Sequence, residues 1–275
     1  MTTPFALKAP SMSAVANAAA ADPVLLQRSA AGVTTLTLNR PRQYNALSSE
    51  LIGALDNAFD QLASDAATRV VVITGSGSAF SAGHDLKEMR SLPSRTEVRA
   101  LFAKCSRMMQ RIPALPQPVI AAVNGIATAA GCQLVAQCDL AVAVESARFA
   151  TSGIRYGLFC STPAVPLSRV VPAKVALEML MTGDFIDAAA ARQWGLVNRV
   201  CAPEALDEAV TALAQTLMER PPGALARGKA FFYRQREQGL ADAYEDASCA
   251  IADDFASPWA QEGVQAFIDK RTPRW

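Results

Sequence analysis

Few residues in this chain have chemistry to offer, and their types and spacing narrow what it can do. Of 275 residues, one is a histidine, His84. A zinc site that needs two or more imidazoles cannot be built within one chain. Any Ser-His-Asp relay would have to run through His84 itself. Six cysteines stand at 105, 132, 138, 160, 201 and 249. No two have C-x-x-C spacing, which removes a zinc knuckle and a thioredoxin-type pair. Most lie in apolar stretches, where a thiol is ordinarily a small reduced core residue. Disulfide scaffolds are short and cysteine-dense, so the thiols point to a reducing compartment, and the expectation is cytoplasmic. With 26 Lys and Arg against 25 Asp and Glu the net charge is +1, far less basic than a protein that binds nucleic acid by counterion release.

A rough internal repeat stands out. VVVITGSGSAFSAGHDL (70–86) and PVIAAVNGIATAAGCQL (118–134) share one plan: an apolar strand, a glycine turn, then small residues leading into a helix. Small residues let a ligand approach the backbone. The N–H groups of such loops and of helix N-termini are free to bind an anion. Two facing loops could each supply one N–H to a developing oxyanion. The alternative is a pair of ordinary turns between buried strands and helices. Phe80 stands where a dinucleotide fingerprint needs glycine, and neither a Walker A sequence nor a G-x-S-x-G elbow occurs.

The elements that must position these loops follow from periodicity. Val33–Leu38 alternates and is β-branched, so it reads as a strand. Ser48 caps a helix with Glu50 in its first turn, and Leu51, Ile52, Leu55, Phe59 and Leu62 recur at helical spacing. Val70–Thr74, Val119–Val123 and Leu140–Val144 read as buried strands. Val98 to Ile112 forms a helical apolar stripe, ended by Pro113, Pro116 and Pro118. Val119–Ala136 is mostly apolar but is interrupted by Asn124-Gly125 and carries Thr128 and Gln133, which argues against a membrane span. Strands alternating with helices predict an α/β fold. Beyond about Pro203 only helical patterns remain: 203–220, 223–238, 240–255 and 258–270. Residues 1–22 hold one basic side chain, Lys8, and no strongly apolar run. They read as a flexible Ala-rich tail rather than a secretory or transit peptide.

Several ordered motifs together resemble the crotonase, or enoyl-CoA hydratase/isomerase, superfamily. They are LNRP (38–41) with NALS (45–48), VITG (72–75), FSAGHDLKEM (80–89), PVIAAVNG (118–125), AGCQL (130–134) and CDL (138–140) with Phe149. ALEMLMTG (176–183), WGLVN (194–198) and EGVQAFIDKR (262–271) follow. Coverage runs from about residue 24 to the end. Within the superfamily, AAGCQLVA (129–136) and GLFCSTP (157–163) look like the subgroup called enoyl-CoA hydratase domain-containing protein 3.

The resemblance implies a spiral of ββα units over 23–202 and a helical oligomerisation region over 203–275, assembling as a homotrimer or a dimer of trimers. It implies an acyl-CoA thioester as substrate, with coenzyme A part of that substrate and no separate cofactor or metal. Its oxyanion hole falls on the N–H groups of His84 and Ala130. Its thioester-binding turn falls on His84, Asp85, Leu86 and Lys87, with Arg42 and Ala46 as further coenzyme A contacts and Arg90 as another cation near the phosphates. Lys270 and Arg271 would face a neighbour's coenzyme A or form a solvated tail. The two glutamates that hydratases use fall on Gln133 and Gly153, neither of which ionises. A carboxylate used by other members falls on Ser161, next to Cys160, and Tyr156 lies close by in sequence. The His84 ring is expected either to pack with a hydrogen bond to Asp85 or a carbonyl, or to face the acyl pocket. The expected activity is that of a hydratase-like lyase or isomerase with altered acid–base groups. The alternatives are an acyl-CoA-binding homologue without turnover, and a peptidase built on Ser161 and His84.

Overall fold

The computed structural model describes residues 23–275, so the expected tail over 1–22 lies outside the described residues. The chain opens with β1 (Leu25–Ala30) and β2 (Val33–Leu38), then α1 (Ser49–Ala63), β3 (Val70–Gly75), β4 (Ala79–Ser81), α2 (Leu86–Ser91) and α3 (Arg95–Ala114). It continues through β5 (Val119–Val123), β6 (Ile126–Thr128), α4 (Ala130–Gln137), β7 (Leu140–Val144), β8 (Arg148–Ala150), α5 (Ser161–Val170) and α6 (Ala173–Thr182). Then follow β9 (Ile186–Asp187), α7 (Ala188–Gln193), β10 (Arg199–Cys201), α8 (Leu206–Met218), α9 (Pro222–Gln235), α10 (Leu240–Phe255) and α11 (Pro258–Ile268).

The strands form two sheets. The larger has the order β1-β2-β3-β5-β7-β10 and the smaller β4-β6-β8-β9. Pairing is parallel except for β1 with β2 and β8 with β9. Each unit places its first strand in the large sheet and its second in the small one, then runs into a helix. The sequence repeat over 70–86 and 118–134 is two such steps, and β7-β8 is a third. The first strands are buried on both faces, so β3 and β5 read as unbroken apolar runs. β2 alternates, and its buried Thr34 is satisfied by Ser29 (2.8 Å) and Thr68 (2.7 Å).

Ser48 caps α1 as expected, its side chain accepting from the Leu51 N–H. The proline reading of α3 needs correction. The helix runs through Pro113 to Ala114, where the Leu115 N–H closes on Arg111 and Ile112 carbonyls. A proline in the last turn forfeits one hydrogen bond rather than the helix. The three-residue strands β4, β6 and β8 are too short to show a period.

After residue 203 the described chain is helical but unevenly packed. α8 buries Leu206, Val210, Leu213 and Ala214. α9 and α10 bury no residue fully, and α11 buries only Ala266. A polar anchor fastens α9 to the core. Lys229 Nζ donates to the carbonyls of Ile112 (2.8 Å) and Gln117 (2.9 Å) and pairs with Asp139 at 2.6 Å. Asp139 also accepts from the Tyr233 hydroxyl (2.8 Å) and the Val119 N–H (2.7 Å). Burial pulls the Lys229 pKa down and pushes the Tyr233 phenol up. Among the described residues no helix is long and apolar enough to cross a membrane; Val119–Ala136 is β5, a turn, β6 and most of α4.

Candidate functional site

The two repeat loops meet. A Cβ placed on Gly83 would lie 2.8 Å from Ala129 Cβ and 3.1 Å from the Ala130 nitrogen, so only a bare backbone fits between the loops. Gly83 also has φ +92, where an L side chain is strained. On the other side, a Cβ on Gly131 would run into the Ser81 carbonyl.

The direction of the His84 amide follows from a short parallel bridge between Leu47 and His84. The Leu47 N–H donates to Gly83 O (2.7 Å) and the Asp85 N–H donates to Leu47 O (3.2 Å). Backbone groups alternate along an extended chain, so the His84 N–H points away from Leu47. Ala130 is the first residue of α4, whose leading N–H groups have no intrahelical acceptor. Among the described residues neither amide has a protein acceptor. Ala129, just before it, has φ +50 and ψ −119, a strained conformation for alanine.

Both residues line one cavity of about 380 Å³, together with Gly153, Ser161, Cys160, Tyr156 and Leu86. Its apolar wall includes Met89, Val98, Phe102, Leu158 and Phe159, and its other hydroxyls belong to Ser152 and Thr162. Ser152, just after β8, shares a 2.8 Å hydrogen bond with Thr128 of the second loop.

The His84 ring packs on Phe102, with centroids 4.6 Å apart. Its expected hydrogen bond to Asp85 or a carbonyl is not formed: Nε2 is buried without a partner. Asp85 is committed elsewhere. It pairs with Arg40 at 2.9 Å and caps α2 by accepting from the Lys87 and Glu88 N–H groups. The Arg40 guanidinium holds the Asp85 carboxyl below its ordinary range. Desolvation lowers the His84 pKa from 6.5 to about 4, only partly opposed by the Glu88 charge. The ring is therefore neutral at neutral pH.

The remaining expected residues divide. Gln133 is buried, its Oε1 has no partner, and it is absent from the cavity wall. One helical turn separates it from Ala130, beneath the wall rather than in it. Gly153 is on the wall, but its position has no room for a carboxylate side chain. A Cβ there would lie 2.6 Å from Leu158 O and 2.7 Å from Cys160 Sγ. The Gly153 N–H donates to Cys160 Sγ (3.3 Å), and burial pushes that thiol up. Ser161 Oγ has only a 3.4 Å contact with Phe159 O and is not hydrogen-bonded to His84, which leaves the peptidase alternative without an activated nucleophile. Arg42 and Lys87 are exposed and Ala46 is buried, and none of the three lines the cavity. Arg271 forms a two-point pair with Glu262 (2.7 and 3.0 Å) within its own chain.

Two residues that position the site had no role assigned from sequence. Asn45 is fully buried. Its amide donates to Ser76 O (2.8 Å) and Ala79 O (2.7 Å), while its Oδ1 accepts from the Arg40 N–H (2.9 Å). Tyr44 and Asn45 both have positive φ, 49 and 54. Asparagine is one of the few side chains that tolerate that region, which is the signal NALS carried. Arg40 reaches Ala46 O (2.5 Å) as well as Asp85.

Residues 28–275 match the family model described as enoyl-CoA hydratase/isomerase. The chain is 45% identical over 244 residues to the enoyl-CoA hydratase domain-containing protein 3, mitochondrial, of Rattus norvegicus, covering 89% of this chain and 81% of the relative. The Homo sapiens protein of that name is 43% identical, covering 89% and 80%. Among solved structures, an enoyl-CoA hydratase of Mycobacterium smegmatis superposes with TM-score 0.91 at 56% identity, covering 92% of this chain and 99% of the other. The human enoyl-CoA hydratase domain-containing protein 3 superposes with TM-score 0.89 at 42% identity, covering 92% and 100%. These relatives correct one expectation. The cytoplasmic reading rested on reduced thiols and the look of residues 1–22, yet the curated relatives in that subgroup are named mitochondrial. Reduced cysteines report a redox condition, not an organelle.

Proposed function

The chain belongs to the enoyl-CoA hydratase/isomerase family, within the domain-containing protein 3 subgroup and with the crotonase fold, and on that premise we propose that it binds acyl-CoA thioesters and grips the thioester oxygen between the His84 and Ala130 N–H groups. The observation that carries this reading is the pair of acceptor-free amides on the wall of one largely apolar cavity. Reactions of acyl-CoA at the carbons next to the thioester build negative charge on its oxygen. One well-aimed donor in such a hole is worth about 3 kcal/mol. The α4 dipole adds to the attraction at Ala130.

The acid–base half of the chemistry is altered. Gln133 and Gly153 carry no proton to exchange, and Leu158 and Cys160 fill the space a side chain at 153 would use. A general acid or base contributes about 10²- to 10⁴-fold, so hydration by the two-glutamate route is expected to be weaker by at least that factor than in a relative holding both. Turnover is then a hydratase-like or isomerase reaction resting mainly on oxyanion stabilisation. The second reading, binding without turnover, is favoured by one observation: among the described residues no Asp or Glu stands on the cavity wall.

The exposed side chains of Arg42 and Lys87 serve the coenzyme A phosphates in this reading, and coenzyme A enters as part of the substrate. The exposed apolar residues of α10 and α11, with Leu240 at 77% and Phe267 at 85% exposure, offer a surface for another copy to cover, in line with the homotrimer or dimer of trimers that the family resemblance implies. The test is a panel of saturated and α,β-unsaturated acyl-CoA thioesters scored for binding and turnover on the same sample. Binding with slow turnover is expected. Binding with none selects the second reading, and no binding by a folded sample ends the proposal.

A further inference from the structure

We infer that the acyl group taken into this cavity is uncharged, and that a thioester whose acyl chain ends in a carboxylate is turned away. The inference rests on the acyl-CoA reading above and adds a substrate class to it. Among the described residues, no Asp, Glu, Lys or Arg lines the cavity. Much of the wall is apolar, with Met89, Val98 and Phe102 among its residues.

The charged groups on the flanking segments are either paired or exposed off the wall. Arg40 is held by Asp85 at 2.9 Å, and Arg155 is paired with Asp184. The Glu88 carboxylate accepts the Ser49 N–H at 2.9 Å. Arg42, Lys87, Arg90, Arg95 and Arg99 are exposed and off the wall, so none of them puts a cation inside the cavity. His84 does stand on the wall, yet its desolvated ring is neutral near pH 7 and offers no cation. Ser152 and Ser161 can hydrogen-bond an acyl hydroxyl or carbonyl, but they do not neutralise a carboxylate. A carboxylate drawn from water into such a site lacks the paired charge that makes burial tolerable.

Equilibrium binding of hexanoyl-CoA and adipoyl-CoA, which have equal chain length and differ in the terminal carboxylate, tests this on the full chain near neutral pH. Adipoyl-CoA is expected to bind roughly 100-fold more weakly. A gap under about tenfold overturns the inference. A second measurement uses Val98→Lys, which puts a cation on the apolar wall, with circular dichroism to verify folding. The gap is expected to narrow by about tenfold or more, and an unchanged gap in the folded variant overturns the inference. Failure of hexanoyl-CoA to bind is a separate result: it removes the acyl-CoA reading, and this inference with it.

Discussion

The two loops that meet at the cavity share a sequence plan and tight glycine contacts, at Gly75 and Gly83 in one and at Gly125 and Gly131 in the other, but the first has a buried polar frame besides. The first, from Gly75 to Asp85, is tied by buried polar groups. Asn45 clamps Ser76 and Ala79, and Arg40 bridges Ala46 and Asp85. The second, from Asn124 to Gly131, is shaped by close packing. Gly125 and Gly131 sit where any Cβ would meet the carbonyls of Ser78 and Ser81, and Ala129 is held at positive φ. One amide is thus aimed by hydrogen bonds reaching back to the segment before α1 as well as by glycine contacts, and the other by backbone against backbone. Convergent function does not need identical support, and each loop has its own way to fail.

The sharpest way to break the comparison is Gly131→Ala. Its Cβ collides with a main-chain carbonyl that cannot rotate away, so a loss of about 4 kcal/mol or failure to fold is expected. Urea unfolding measures it, and near-wild-type stability would show that the second loop has slack. The next effect concerns His84. An unfolded histidine titrates near 6.5 and the folded one at about 4. Between those values the unfolded state holds the extra proton, so stability is full above pH 6.5 and falls as pH drops toward 4, by about 3 kcal/mol in all. His84→Phe should flatten that part of the stability–pH curve; an identical slope in the variant would assign the acid sensitivity to other groups.

Asn45→Ala strands two carbonyls and one N–H and is expected to cost about 2 kcal/mol while weakening acyl-CoA binding. Its counterpart in the second loop, Asn124→Ala, should cost less, because the Asn124 hydrogen bonds with the Gly75 N–H (3.2 Å), Gly77 O (3.0 Å) and Ala79 O (3.4 Å) are longer and less buried than those of Asn45. Equal losses would erase the distinction between the loops. The smallest effect runs the other way. Ala129→Gly relieves a positive φ and should stabilise the chain by about 1 kcal/mol net of the extra freedom glycine has when unfolded. A thermal melt resolves that sign.

The sequence by itself determined the alternation of strands and helices, the cap at Ser48, the apolar runs of β3, β5 and β7, and the family through its ordered motifs. These are local facts: burial writes a period into neighbouring residues, and a capped helix or glycine turn depends on a few positions. Tertiary structure alone decided the rest of the site. It gave Asp85 to Arg40 rather than to His84, put Gln133 beneath the wall, closed the space at Gly153 with Cys160 and Leu158, and left the His84 ring neutral against Phe102. Those outcomes join residues of separate segments, from Gly153 and Cys160 seven positions apart to Arg40 and Asp85 forty-five apart. No periodicity records which of two acceptors a side chain reaches, because that depends on distances set only when the sheets pack.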